Sequence, residues 1–454
     1  MNSHSIKKYL APARFYKRMA IVGLPIMIQQ MLNSIMGIVD SIMVSSISQG
    51  VSAVGNATQI ENLMMTISFG AASGASIFIA QYFGAKDQVH QRKSFFVGIG
   101  FTLMIALAML TIASFFPRQL MGFFINDVSV IENSMVYLDV VKWSYIPFVI
   151  TMMFSFAYRS IQKTMVSLGI GIIAMITNVS LNAILIFGLL GFPALGIQGA
   201  AIATLTAHSL SAIVHVIYAL WSKQPFFSIK LSHMSVEPLL VKKISSRAVP
   251  LMFNELFFGV GMTLFIRFYG LFGPESLESY YVANQLSMFF FFAIMGVNAA
   301  SSAILGAILG EGKLDEAKVT MHYFYGVGIF LAFTLSLMVL GLAPWLVSLY
   351  GSGVANPSLA VLILRVLSLR LALRVFNVLI FSALRAGGDA KFLTWLDAGL
   401  VWGIGLPLTA FLVLVVKIES LALVLLLVQV EQIIRVVIGL MRVSQGRWLM
   451  NLTR

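Results

Sequence analysis

Residues 37–46 read GIVDSIMVSS, an aspartate set among residues otherwise suited to hydrocarbon. An ionised side chain at bilayer depth costs about 2.5–3.5 kcal/mol or more. If this stretch spans a membrane, Asp40 faces something other than lipid. Composition says that it does span one. Of 454 residues, 59% are hydrophobic and 10% charged, with a mean hydropathy of +0.93. Soluble domains carry about 25% charged residues, and the apolar runs here never pause long enough for one. Cysteine is absent, which excludes disulfides and thiolate metal sites. No cofactor is expected.

A spanning helix needs ~20 mostly apolar residues. Runs between charged or Gly/Pro-rich breaks place twelve spans, near 19–47, 52–82, 94–116, 131–157, 165–190, 196–221, 248–272, 279–309, 319–349, 358–384, 392–416 and 419–441. The first follows Lys7, Lys8, Arg14, Lys17 and Arg18. It is far longer than a signal-peptide core and has no A-x-A-like cleavage site after it, so it reads as a retained span. The N-terminus, the even-numbered loops and the C-terminus collect the basic residues, among them Lys93, Arg159, Lys230, Lys243, Arg385 and Arg454, whereas the odd-numbered loops hold only Arg118 and Lys417. The positive-inside rule then puts both termini in the cytoplasm. The net charge of +13 is mostly topology, and no nucleic-acid partner is expected.

The chain also repeats itself. VGN at 54–56 matches VAN at 282–284, FGAASGAS at 69–76 matches VNAASSAI at 297–304, and GAKD at 84–87 matches GKLD at 312–315, all at an offset of 228. Pro25 and Pro250 lie 225 apart, and Arg159 and Arg385 226 apart. Six helices separate the copies, so the halves run parallel. The expected fold is an all-α integral membrane protein of twelve helices in two six-helix lobes related by a parallel repeat, residues 1–222 and 248–454, joined by a basic cytoplasmic segment, 223–247. Gly70-x-x-x-Gly74 and Gly306-x-x-x-Gly310 suit close packing of the second and eighth helices.

Several stretches resemble the multidrug and toxic compound extrusion (MATE) family: NVSLNAILIFGLLGFPALGIQGAAIAT at 178–204, LRAGGDAKF at 384–392, GLP at 23–25, VPLMFNELFFGVG at 249–261 and FGAASGASIFIAQYFGAKD at 69–87. The likeness covers nearly the whole chain in order. It implies a V-shaped cavity and efflux of organic cations in exchange for H⁺ or Na⁺. A loose G-x-G-x-x-A run at 169–174 opens the fifth span with no strand before it, so it lacks the context of a nucleotide fingerprint.

Asp40 lies in the outer half of the first span, and Met36, Asn33 and Gln29 continue its face as a polar stripe. A carboxylate there suits proton coupling, and the resemblance implies a coupling aspartate at a similar place. Packing held by hydroxyls and amides is the alternative. Glu255, beside Asn254, falls where the resemblance implies a cation-binding glutamate. The carboxylate that family members supply from the tenth helix is missing, and Arg370 and Arg374 stand there instead. A Glu255–Arg374 ion pair is therefore expected, with a Na⁺ site as the alternative. Glu61, Asn62, Asn178, Asn182, Asn284, Met288 and Phe289 are further candidates for cavity lining. Glu431 and Arg435 have the spacing of an intrahelical ion pair, and Asp397 reads as near a water-accessible helix end.

Methionine and aromatic side chains, 25 Met and 35 Phe in all, repack around varied apolar cargo and attract ammonium groups. The expected activity is export of lipophilic organic cations across the cytoplasmic membrane in exchange for H⁺, with no enzymatic chemistry. Na⁺-coupled efflux through Glu255, or flipping of lipid-linked saccharides, are the alternatives.

Overall fold

The computed structural model describes residues 9–47, 50–123, 127–228, 236–350 and 356–453. Lys7, Lys8, Lys230, Arg454 and part of the joining segment 223–247 lie outside the described residues. Twelve long helices run through those described: α1 Ala13–Ser45, α2 Gly50–Gly84, α3 Gln88–Phe115, α4 Val128–Ser160, α5 Thr164–Phe187, α6 Gly196–Trp221, α7 Pro238–Gly270, α8 Pro274–Gly310, α9 Leu314–Ser348, α10 Pro357–Ala386, α11 Ala390–Val415 and α12 Leu421–Ser444. Eleven are long and apolar enough to cross a membrane; α10, 30 residues long, carries Arg365, Arg370, Arg374 and Arg385. Every expected span has its helix. The ends differ most at α7, which begins ten residues before the expected 248 because the basic run 238–247 is itself helical.

Some helices are irregular inside. Pro25 and Pro250 sit within α1 and α7. α4 tightens to a single 3₁₀ turn at Lys142–Ser144, and α11 widens to π-helix at Trp395–Gly399, Val401–Gly405 and Phe411–Val415. π segments are rare and concentrate where side chains are re-aimed for function.

The repeat is real, but its register differs from the offset of 228. α1 and α7 are both 33 residues long, and their starts lie 225 apart. A Cβ on Gly74 would lie 2.6 Å from Cβ of Ala248, and one on Gly70 2.7 Å from the backbone N of Met252. The same contacts recur in the other half, where a Cβ on Gly23 would meet Cβ of Ala300 at 3.7 Å and one on Gly296 would meet Cβ of Met27 at 3.3 Å. Gly70 and Gly74 thus match Gly296 and Ala300, 226 apart, while Gly23 and Met27 match Ala248 and Met252, 225 apart. Helix against helix, backbone meets backbone at these small residues.

Two compact units result. One is Ile28–Met252; the other comprises the described residues of Met1–Met27 with Phe253–Arg454. The unit boundaries fall two residues after Pro25 and two after Pro250, at equivalent points of the repeat.

The α2–α3 turn shows how local chemistry ends and begins these helices. Lys86 adopts a positive φ of 58°, and the Asp87 carboxylate then accepts from the backbone N–H of Val89 and of His90, each at 3.1 Å. Partial burial works against the charged form of Asp87, but the hydrogen bonds and charge of His90 with the Val89 N–H hold its pKa below the usual carboxylate value. A depressed pKa stabilises the fold above the unfolded-state value and ceases to do so as pH falls through the folded one. Asp87→Ala is expected to cost about 1 kcal/mol at neutral pH. The gap from wild type should close below about pH 4, as read by thermal unfolding in detergent across pH.

Candidate functional site

The first site lies wholly within Ile28–Met252. Asn178 and Asn182 stand one turn apart on α5, so both amides share a face. Asn182 Nδ2 donates to Asp40 Oδ1 at 2.7 Å and to Asn178 Oδ1 at 3.2 Å. Asn178 Nδ2 in turn reaches Thr204 Oγ1 on α6 at 3.5 Å. Both asparagines are 2% exposed, so their amides are shielded from bulk water. Asn182 thus holds Asp40 directly, and Asn178 holds Asn182. Asn182 Oδ1 has no hydrogen-bond partner among the described residues.

Glu61 of α2 lies within electrostatic reach of Asp40, and His208 Nε2 on α6 is 3.9 Å from Glu61 Oε1. Tyr137 of α4, 4% exposed, stands beside Thr204 and also within reach of both carboxylates. Phe148 meets the His208 ring edge-on at 5.2 Å. Helices α1, α2, α4, α5 and α6 therefore converge on two carboxylates. Thr204, His208 and Tyr137 were absent from the sequence-derived set. Thr204, His208, Ser211 and His215 recur at helical spacing, a polar face legible in the sequence; nothing local marks Tyr137. Of the stripe leading to Asp40, Gln29 packs against α5, its Nε2 3.6 Å from where a Cβ on Gly171 would stand. Met36 is half-buried, and Asn33 and Asn62 are exposed.

The second site lies in the other unit. Arg435 of α12 donates through Nη1 to Asp397 Oδ1 at 2.6 Å and through Nη2 to Glu431 Oε1. Asn254 Nδ2 donates to Asp397 Oδ2 at 3.1 Å, Gln432 Nε2 to Glu431 Oε2 at 2.7 Å, and Asn377 Nδ2 to Gln432 Oε1 at 2.8 Å. Glu431 and Arg435 are each 3% exposed and Asp397 8%. The intrahelical pair is present as expected. Asp397, expected near water, is instead buried: a π segment of α11 presents it to Arg435.

Glu255 does not pair with Arg374. It meets Arg385 at 3.5 Å, while Arg374 lies over the Phe291 ring at 4.7 Å. The correction has a physical reason. Arg374 and Arg385 lie eleven residues apart, three turns on one helical face. Depth alone separates them: Glu255 lies level with Arg385, one residue from the end of α10, and not with Arg374 eleven residues deeper. Asn284 and Met288 are half-buried on α8, and Phe289 is exposed beside Phe292. The duplication did not copy the chemistry. At α7, buried Phe265 stands 225 residues after Asp40, and Asn254 of the second cluster stands 225 after Gln29.

Such a duplicated membrane bundle with buried carboxylates is the architecture of a secondary transporter. The MatE family model matches residues 25–184 and 250–411. The chain belongs to the MatE family, a family of membrane transporters and not of enzymes. An uncharacterized transporter, YisQ of Bacillus subtilis, is 27% identical over 85% of this chain and 84% of its own. The multidrug resistance protein MdtK of Pectobacterium atrosepticum is 24% identical over 88% of each. Among solved structures, a MATE crystal structure in a bent conformation superposes with a TM-score of 0.86 at 18% identity, covering 95% of this chain and 96% of its own. An outward-facing multidrug resistance MATE transporter gives 0.85 at 17% identity, with coverage of 95% and 96%. The protein is thus a multi-pass membrane transporter of two six-helix lobes.

Proposed function

We propose that this transporter exports lipophilic organic cations from the cytoplasm in exchange for H⁺, with Asp40 as the coupling group. Kinship with multidrug resistance proteins supports the cargo class, and the basic residues at the termini and even-numbered loops support cytoplasmic termini in the cell membrane. The observation that carries the coupling is Asn182, whose amide holds Asp40 with one end and leaves the other unused. An amide can serve either state of a carboxyl, donating to the carboxylate or, after a flip, accepting from the acid. Deprotonated Asp40 would attract a cationic cargo, with Glu61 adding to the field. Protonation from the far side would release the cargo. By linkage, proton and cargo must weaken each other's binding.

The lobes 1–222 and 248–454, joined by 223–247, are the bodies that would alternate access. Na⁺ coupling through Glu255 is the weaker reading, because Arg385 already faces that carboxylate and Arg435 holds the two nearby ones. The test is efflux of a fluorescent organic cation from proteoliposomes, driven by a pH gradient without Na⁺ or by a Na⁺ gradient at uniform pH. The pH gradient alone is expected to suffice. Transport driven only by Na⁺ would overturn the H⁺ assignment.

A further inference from the structure

A groove of about 590 Å³ runs between α9, α10 and α12, with Phe333, Leu340, Phe376 and Leu426 among its lining residues. Three polar residues reach it: Ser336, Ser368 and Arg365. The serines are already satisfied, Ser336 donating to the Ser368 carbonyl at 2.9 Å and Ser368 to the Arg365 carbonyl at 2.6 Å. The Arg365 guanidinium has no acceptor among the described residues, and no carboxylate lines the groove.

Arg365 lies eight residues inside the end of α10 remote from the termini, a depth of roughly 12 Å. A bilayer is about 40–45 Å thick with a hydrocarbon core of ~30 Å, so the α-carbon sits just below the headgroups. A side chain of this length can lift its charge to the phosphate level. From Arg365 to Phe376 the α10 lining runs over eleven residue steps, as does the α9 lining from Ile329 to Leu340. Each is roughly 16 Å long, close to one leaflet's ~15 Å of hydrocarbon. A single cation at headgroup height above a leaflet-deep apolar trough matches an anionic phospholipid in charge, length and polarity.

We propose that this groove is a binding site for an anionic phospholipid, its phosphate paired with Arg365 and an acyl chain laid along α9 and α10. The site is separate from both carboxylate clusters, so it stands whether or not Asp40 couples protons.

The test uses delipidated protein in detergent, titrated with phosphatidylglycerol and read by native mass spectrometry and by melting temperature. One lipid is expected to be retained per chain with a rise in melting temperature. Phosphatidylcholine should bind less tightly, and glycerol 3-phosphate should give no protection. Arg365→Gln should weaken phosphatidylglycerol binding about five- to tenfold, Arg365→Lys should largely keep it, and Ala372→Trp should block it by filling the trough. Equal retention by wild type and Arg365→Gln would overturn the proposal. So would equal protection by glycerol 3-phosphate, or displacement of the lipid by the organic cation used as cargo.

Discussion

Asp40→Asn is expected to lower pH-driven efflux by about two orders of magnitude, the upper end of the coupling between linked sites, while leaving the protein folded. The substitution is nearly isosteric and keeps an oxygen to accept from Asn182 Nδ2, now held at 2.7 Å. What it removes is the ability to gain and lose a proton. Loss of rate alone could come from a disturbed fold, so the sharper readout is binding of the cargo cation in detergent. Wild-type affinity should fall as pH is lowered, because protonation removes the attracting charge, whereas the Asp40→Asn affinity should be weak and flat with pH. Glu61→Gln should weaken binding less and leave a pH dependence, since Asp40 remains. An Asp40→Asn protein that still exchanges cargo for protons would move the coupling elsewhere, with Glu61 and His208 the nearest titratable pair.

The largest effect on stability is expected at Arg435. Its guanidinium holds Asp397 at 2.6 Å and also Glu431, and all three residues are buried. Removing one partner of a buried ion pair costs about 3–5 kcal/mol because the other is left charged and dry. Arg435→Leu strands two carboxylates and should sit at the upper end of that range. Adding Asp397→Asn and Glu431→Gln should recover most of the loss, because the stranded charges vanish and the amides can still hydrogen-bond to Asn254 and Gln432. Thermal unfolding in detergent of the single and triple variants checks this. A triple variant no more stable than Arg435→Leu would mean that the arginine acts by packing and not by charge.

Gly70 and Gly74 show where pattern and packing part. Small residues recur along α2 and α8, so short matches fit at more than one offset. The offset of 228 pairs three short motifs, yet a slip of two residues turns a helix face by roughly 200°. Only the approach of Gly74 to Ala248, mirrored by Ala300 at Gly23, picks 226.

Twelve spans, the duplication, the candidate carboxylates and the family resemblance were all legible in the chain alone. These are consequences of hydrophobic length, charge asymmetry and motif spacing, which each segment carries within itself. The sequence also named Asp40, Asn178 and Asn182, because polar residues inside apolar runs must find partners. Which partners they find is another matter. That Tyr137 comes within reach of Asp40 and Glu61, that His208 faces Glu61, that Glu255 meets Arg385, and that Asp397 turns inward to Arg435 depend on helix rotation and depth. Those are set by contacts between segments far apart in the chain, where a shift of one residue moves a side chain by about 100° and 1.5 Å, and only the tertiary structure decided them.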